Sequence, residues 1–177
     1  MLWIAVTLPL LPLEAVRPLM PPAPSTPLLP ESVDAHVTSA PRCYALADHT
    51  RILIADLDAL RAGVEPGNTR SHALALAPGL VLLEADPARE TRAFEALALA
   101  LLAYTPKVSF AQSHTLLLEV GSGLRLFGGV RALLARVAAT VAGCGHTARM
   151  ACAPTAWGAW TLAQARVTRA SRRWHVL

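Results

Sequence analysis

The arginines of this sequence are concentrated in its last third, where no acid accompanies them. Residues 120–177 contain eight arginines and no acid, whereas residues 1–119 hold all twelve acids and only eight basic residues. A guanidinium group makes forked contacts to phosphate, so several of them on one helix face predict a surface for a polyanion. A solvated helix, or one that docks on an acidic protein, is the alternative. The arginines with suitable spacing are Arg166, Arg169, Arg172 and Arg173.

Histidine and cysteine spacing argues against metal chemistry. None of the six histidines lies four residues from another or beside a paired acid in the sequence. Cys43, Cys144 and Cys152 have no CxxC spacing, so we expect them to be small buried apolar side chains. The segment GSGLRLFGG lacks the spacing of a dinucleotide-binding loop and has no acid downstream. We therefore expect no metal and no cofactor.

Length and composition bound the fold. The chain has 177 residues, of which 54% are hydrophobic and 16% charged, enough for one folded domain with an insertion and too apolar for a disordered protein. The apolar N-terminus has no preceding positive charge and is interrupted by Pro9 and Pro12, which argues against a signal peptide. Residues 93–104 are too short to cross a bilayer. We expect a cytoplasmic protein without a membrane partner.

Hydrophobic periodicity predicts a mixed α+β fold. The principal elements follow the order βαββαβ, which is the ferredoxin-like arrangement. An insertion at 18–85 follows the first strand; it begins with a Pro-rich stretch, 18–30, and then predicts small strands and helices of its own. The pattern places the principal strands at 2–7, 106–110, 115–120 and 147–153 and the long helices at 87–103 and 129–142.

Four segments resemble one family of enzymes. They are LWIAVTLPLLPLEAV, RAGVEPGNTRSHALALAPGLVLLEADP, LEVGSGLRLFGG and HTARMACAPTAWGAWTLAQAR, and they span nearly the whole chain. The sequence resembles the ImuB-like branch of the Y-family (UmuC-type) translesion DNA polymerases, in their palm and fingers portion. This resemblance implies a palm-like domain from 1–17 and 86–165, a fingers-like insertion at 18–85, and a basic tail at 166–177 that leads toward a thumb.

The resemblance also implies that the metal-binding carboxylates are missing. Active members hold two Mg²⁺ ions with an Asp-x-Asp on the first strand and an Asp-Glu pair at the central hairpin. Aligned on Glu14 and Glu119, this sequence has neutral or histidine side chains at those places. The four degenerate positions are Ala5, Thr7, His114 and Thr115.

The nucleotide grip of the fingers is eroded in the same comparison. The family's Tyr-x-x-Arg corresponds to Asp58 through Arg61, so Arg61 remains while Asp58 would repel a triphosphate. The family's palm lysines fall near Ala156 and Trp160. Trp157 and Trp160, three residues apart, are expected to form a packing stripe or to contact a nucleic-acid strand or a partner.

These positions lead to an expectation about function. The resemblance implies a catalytically inactive, polymerase-like adaptor in damage-induced translesion synthesis and mutagenesis. Its partners would be DNA, bound weakly and without sequence preference, a RecA-like mutasome protein, a DnaE-type error-prone polymerase and the sliding clamp. Two alternatives stay open: an active nucleotidyl transferase with atypical ligands, and a ferredoxin-like binding or regulatory domain unrelated to replication.

Overall fold

A computed structural model describes residues 1–17 and 43–165 of the chain. The contacts divide the chain into two compact units, one of Met1–Ala15 with the chain from Pro87 onward and one of Val16–Asp86. The predicted Pro-rich stretch 18–30 and the basic tail 166–177 lie outside the described residues. The elements are β1 (Trp3–Thr7), α1 (Leu11–Val16), β2 (Tyr44–Ala47), β3 (Ile52–Ala55), α2 (Leu57–Arg61), α3 (Arg70–Leu76), β4 (Val81–Leu83), α4 (Pro87–Leu101), β5 (Val108–Ala111), β6 (Thr115–Glu119), α5 (Val130–Gly143), β7 (Arg149–Ala153) and α6 (Ala156–Gln164).

The first unit contains a four-stranded sheet in the order β5-β6-β1-β7. All neighbouring strands run antiparallel. With α4 between β1 and β5, and α5 between β6 and β7, the order is βαββαβ. The ferredoxin-like prediction is confirmed, including its requirement that the segments 2–7 and 115–120 share one sheet.

One face of this sheet carries the main core. Side chains alternate across a strand, so Ile4 and Val6 of β1 point to the same face as Leu116 and Leu118 of β6. These four side chains are fully buried. They form one cluster with the apolar faces of α4 and α5, whose buried members are Leu97, Ala98, Leu101, Leu133, Leu134, Val137 and Val141.

The last helix covers the opposite face. Thr155 caps it, since its hydroxyl accepts a hydrogen bond from the backbone N–H of Gly158 at 3.1 Å. Ala159 and Ala163 of α6 pack against Ala5 of β1, and Ala5 and Ala159 are fully buried. Small side chains on both elements let the helix backbone approach the sheet closely.

The long helix α4 is shorter than its apolar pattern predicts. It ends at Leu101 rather than 103. The chain tightens there, because Leu102 donates its backbone N–H to the carbonyl of Leu99 at 3.2 Å, a bond across three residues instead of four. Leu102, predicted on the buried face, is consequently 45% exposed.

The second unit has a sheet of order β3-β2-β4. Asp56 connects it to α2: one carboxylate oxygen accepts from the N–H of Tyr44 at 3.0 Å and the other from the N–H of Ala59 at 2.8 Å. Strand β4 is entirely apolar in sequence but only partly buried, with Val81 36% exposed. Its position at the sheet edge explains the difference.

The described residues bear on two expectations, one about membrane-spanning helices and one about the burial of the cysteines. In the described part of the chain, no helix combines the length and the apolar character needed to cross a bilayer. The cysteines are less buried than expected, because Cys144 is exposed at the end of α5, and Cys43 and Cys152 are half-buried.

Candidate functional site

Two threonines meet where the sequence comparison places metal-binding carboxylates. Thr7 ends β1 and Thr115 begins β6, and the two are direct partners in the sheet register. Their hydroxyl oxygens lie 2.8 Å apart, in hydrogen-bond contact. Thr7 is 3% exposed and Thr115 is 0% exposed. The structure thus brings together two of the four degenerate positions.

The last helix adds a third polar group to this pair. Gln164 donates an N–H from its amide to the Thr115 hydroxyl at 3.2 Å. No pattern in the sequence singles out Gln164, because only the packing of α6 on the sheet brings residues 115 and 164 together. We call Thr7, Thr115 and Gln164 the hydroxyl cluster.

The other two degenerate positions have separate surroundings. Ala5 lies under α6, where its methyl group packs against Ala159 and Ala163. His114 is in the β5–β6 turn with a positive φ of 50°. Its ring contacts the carboxylate of Glu90 and the edge of Phe94, both on α4. His114 therefore belongs to the turn and the helix side of the sheet.

Glu119 lies at the far end of β6 from Thr115. Its register partner in β1 is Trp3, whereas Thr115 pairs with Thr7. Glu119 is buried, with 7% of the residue exposed. It accepts from the N–H of Gly121 at 3.1 Å and lies 3.6 Å from the ammonium of Lys107. This acid holds the strand end and does not approach the hydroxyl cluster.

Glu14 fastens α1 to the loop before β7. Its carboxylate accepts from the backbone N–H of Thr147 at 3.0 Å and contacts Nδ1 of His146 at 3.3 Å. Burial raises the pKa of Glu14, but the hydrogen bonds from His146 and Thr147 outweigh burial and hold the pKa below its usual value. Spacing along the chain does not reveal this contact, because Glu14 and His146 are separated by more than a hundred residues.

Arg61, to which the resemblance assigns the remaining part of the nucleotide grip, is paired within its own helix. Arg61 donates to the Asp58 carboxylate at 3.0 Å on α2, and both side chains are largely exposed. Asp58 thus gives the Arg61 guanidinium a neighbouring countercharge.

Magnesium does not fit the hydroxyl cluster. Mg²⁺ in proteins is held by carboxylates and phosphates in near-octahedral geometry. Here the donors are two neutral hydroxyls already bonded to each other and an amide that donates to one of them. Among residues 1–17 and 43–165, no group of three acids, histidines or cysteines could hold a metal ion.

An apolar groove lies on the same face of the sheet as the hydroxyl cluster. It has a volume of about 310 Å³ and lies between β5 and the start of α6. Trp157 and Trp160 meet edge to face at 5.5 Å, and Trp157 is 76% exposed. The predicted packing stripe is therefore only half correct, since Trp160 is partly buried while Trp157 remains open to solvent.

The comparison with known families decides the identity of the fold. Residues 35–164 match the impB/mucB/samB family, more than half of the chain. The chain belongs to this family. Two curated proteins called Protein ImuB, from two strains of Caulobacter vibrioides, are 37% identical to it over 102 residues. The match covers 58% of this chain and 22% of each relative.

Solved structures of Y-family polymerases share the fold. A ternary complex of Dbh has a TM-score of 0.65 at 15% identity and covers 92% of this chain and 44% of its own. DinB from Sulfolobus solfataricus has a TM-score of 0.59 at 14% identity, covering 88% of this chain and 42% of its own. The chain therefore has a Y-family palm and fingers fold and spans less than half the length of these proteins.

The arginines predicted to bind DNA belong to the basic tail. Arg166, Arg169, Arg172 and Arg173 lie outside the described residues. The basic residues of the acid-free third that the structure does describe are all exposed: Arg125, Arg131, Arg136 and Arg149.

Proposed function

We propose that this protein is a catalytically inactive, polymerase-like adaptor of damage-induced translesion synthesis and mutagenesis. In this role it contacts DNA and holds a separate error-prone polymerase at the lesion. It works in the cytoplasm and needs no cofactor of its own. Membership of the impB/mucB/samB family and the likeness to Protein ImuB support the damage-response setting.

One observation above all supports the proposal that the protein is catalytically inactive. Two-metal nucleotidyl transfer needs several carboxylate oxygens that converge on both ions. At the family's positions this protein has the Thr7–Thr115 hydroxyl pair, almost completely buried and closed by Gln164. Neutral hydroxyls bonded to each other supply none of the negative charge that the reaction needs.

The eroded grip on the nucleotide supports the same proposal. A triphosphate is held by cations with free donor groups. Arg61 is paired with Asp58 on the same helix, which lowers its ability to bind an anion. A loss of both substrate affinity and metal affinity is what an adaptor role tolerates.

The partners follow from the resemblance and from the charge pattern. DNA would be bound through phosphate contacts from the acid-free third, without base readout. The protein partners proposed are a RecA-like mutasome protein, a DnaE-type polymerase and the sliding clamp. Through these contacts the palm and fingers fold would serve as a scaffold rather than as an enzyme.

Primer extension is the direct test of inactivity. We expect no incorporation by the purified chain on a primed template with Mg²⁺ or Mn²⁺, while an active Y-family polymerase extends the same primer. Robust incorporation that survives Thr7→Val would identify an active transferase with atypical ligands and overturn the proposal.

Restoring the acids provides a second test. The triple change Ala5→Asp, His114→Asp and Thr115→Glu should not produce activity. Ala5 is fully buried against α6, so a carboxylate there has no space, and Asp58 continues to oppose the triphosphate. Substantial rescue by these three changes would show that the rest of the site is competent and would contradict the scaffold role.

The adaptor role has its own measurement. Pull-down of purified DnaE-type polymerase and sliding clamp by this chain, with DNA digested away, tests direct contact. Absence of binding to either protein, combined with absence of DNA binding at low salt, would favour a regulatory domain unrelated to replication.

A further inference from the structure

The outer edge of β5 is an unpaired strand edge in the described part of the chain. β5 is the terminal strand of the four-stranded sheet. Glu119 donates its backbone N–H to the carbonyl of Lys107, so residues 107 and 119 are a hydrogen-bonded pair of the antiparallel ladder. In such a ladder the backbone groups of every second residue point toward the neighbouring strand, and those of the residues between them point away from it. By that alternation Ser109 and Ala111 bond toward β6, whereas the N–H and C=O groups of Val108 and Phe110 point away from it.

The groove opens beside this edge. Ala111 and Leu117 form its floor, and Trp157 and Trp160 form its wall. Trp160 donates its indole N–H to the carbonyl of Gln112 at 3.4 Å, which fixes the wall to the β5–β6 turn. Phe110, on the edge strand, is 58% exposed, and its ring meets that of Phe94 of α4 at 5.3 Å on the other face of the sheet. A large exposed aromatic side chain such as Trp157 beside a preformed concavity indicates a surface that is covered by a ligand.

The charges around the groove select the kind of ligand. The lining side chains are all uncharged. A nucleic-acid strand needs cations that follow its phosphates, and the lining supplies none. Just before β5, the Lys107 side chain is 66% exposed and lies 3.6 Å from the buried carboxylate of Glu119, so it places a partly countered positive charge at that end of the strand. An uncharged segment with one acid near the Lys107 end complements this edge.

We propose that β5 and the groove form a docking site for an extended, apolar polypeptide segment of a partner protein. The segment adds to the sheet as a fifth strand and pairs its backbone with Val108 and Phe110. One of its apolar side chains enters the groove against Trp157. Strand addition takes affinity from main-chain hydrogen bonds and specificity from pockets for alternate side chains, and both features are present here. This site does not depend on whether the protein is catalytically inactive.

The test uses the full chain and a library of random nonapeptides displayed on phage. We expect selected peptides to be apolar and β-branched at their centre, with an acid at one end. Synthetic copies should protect the backbone amides of Val108 and Phe110 from hydrogen exchange. Trp157→Ala should weaken their binding at least tenfold, whereas Leu99→Ala, which truncates another exposed apolar residue on α4, should leave it unchanged.

A matched pair of variants separates strand addition from simple apolar contact. Phe110→Ala and Phe110→Pro both remove the ring, but only proline removes the outward N–H, which an edge strand tolerates. We expect Phe110→Pro to bind the peptides at least tenfold more weakly than Phe110→Ala. Equal binding by the two variants would overturn strand addition.

Other occupants of the groove give distinct results. A chain that is dimeric in solution and becomes monomeric with Trp157→Ala would identify a second copy as the occupant. Protection of Trp157 by oligothymidine, with no peptide selected, would identify a nucleic-acid strand. Either result would overturn the proposal of a partner polypeptide.

Discussion

At the scale of single residues, the hydroxyl cluster joins β1 and β6 through neutral hydrogen bonds. Thr7 and Thr115 are buried side by side, at a distance where two carboxylates would repel each other without a cation between them. Two hydroxyls satisfy each other in the same volume. The pair therefore connects the two strands without a cation between them.

Substitutions at Thr7 measure how much its contact with Thr115 contributes to stability. Thr7→Val keeps the shape and loses one hydrogen bond, so we expect a loss of about 1 kcal/mol of unfolding free energy. Thr7→Asp buries a charge without a partner and should cost about 3 kcal/mol at pH 7. Burial raises the pKa of the new carboxyl, so its penalty should fade as the pH drops toward 4. Urea denaturation at the two pH values checks both changes, and a pH-independent penalty for Thr7→Asp would contradict this explanation.

Glu14 gives the opposite dependence on pH. Its pKa is below the usual value in the folded chain, because the hydrogen bonds from His146 and Thr147 outweigh the effect of burial. Its stabilisation is therefore present above the ordinary carboxyl pKa and is lost as the pH falls through the lowered value. We expect Glu14→Gln to cost about 1–2 kcal/mol at pH 7 and progressively less in acid. Urea denaturation from pH 7 to pH 3 measures this, with exposed Glu95→Gln as a control that should change little at any pH.

At the scale of elements, the small residues of α6 decide how closely that helix lies on the sheet. Ala159 is fully buried against the strand face that carries Ala5. This contact also fixes where Gln164 reaches Thr115 and where the two tryptophans stand relative to β5. The hydroxyl cluster and the groove thus depend on the same helix–sheet packing.

Enlarging one alanine should disturb both sites together. We expect Ala159→Leu to destabilise the protein by about 1–3 kcal/mol, because extra methyl groups have no space between helix and sheet. Thr161→Leu adds a leucine to the exposed side of α6 and should have little effect. Tryptophan fluorescence followed during urea denaturation reports on α6 directly, through Trp157 and Trp160. Similar stabilities for the two variants would show that α6 is not packed as described.

At the scale of the whole molecule, the separation of charge along the chain determines how we expect it to bind DNA. The last third of the chain has eight arginines and no acid. Contacts from such a surface go to phosphates, so binding should be weak, insensitive to sequence and steeply dependent on salt.

A quadruple variant tests which arginines are involved. Changing Arg166, Arg169, Arg172 and Arg173 together to alanine should reduce the log–log salt slope by about 0.9 per lost phosphate contact on duplex DNA and about 0.7 on single strands. Fluorescence anisotropy with single-stranded and primed DNA, from low to moderate salt, measures the slope. An unchanged slope would exclude this tail. The DNA contact would then belong to the exposed arginines of the described region: Arg125, Arg131, Arg136 and Arg149.

The sequence by itself determined the element order and which residues stand at positions 5, 7, 114 and 115. Local periodicity is sufficient for the element order, because the period of apolar residues differs between helix and strand. The identity of a side chain does not depend on folding. The ferredoxin-like sheet, the two long helices and the turn around His114 could be predicted in this way. The end of α4 could not, since Leu102 continues the apolar pattern while the backbone tightens at Leu99.

Only the tertiary structure decided which side chains meet. The Thr7–Thr115 contact joins residues 108 positions apart, and Gln164 reaches the pair from a helix on the opposite side of the sheet from the main core. Glu14 and His146 meet over a similar separation. The edge of β5 beside Trp157, which is unpaired among residues 1–17 and 43–165, likewise depends on strand order. Such contacts are set by register and helix packing, which combine distant segments, so spacing along the chain carries no signal for them.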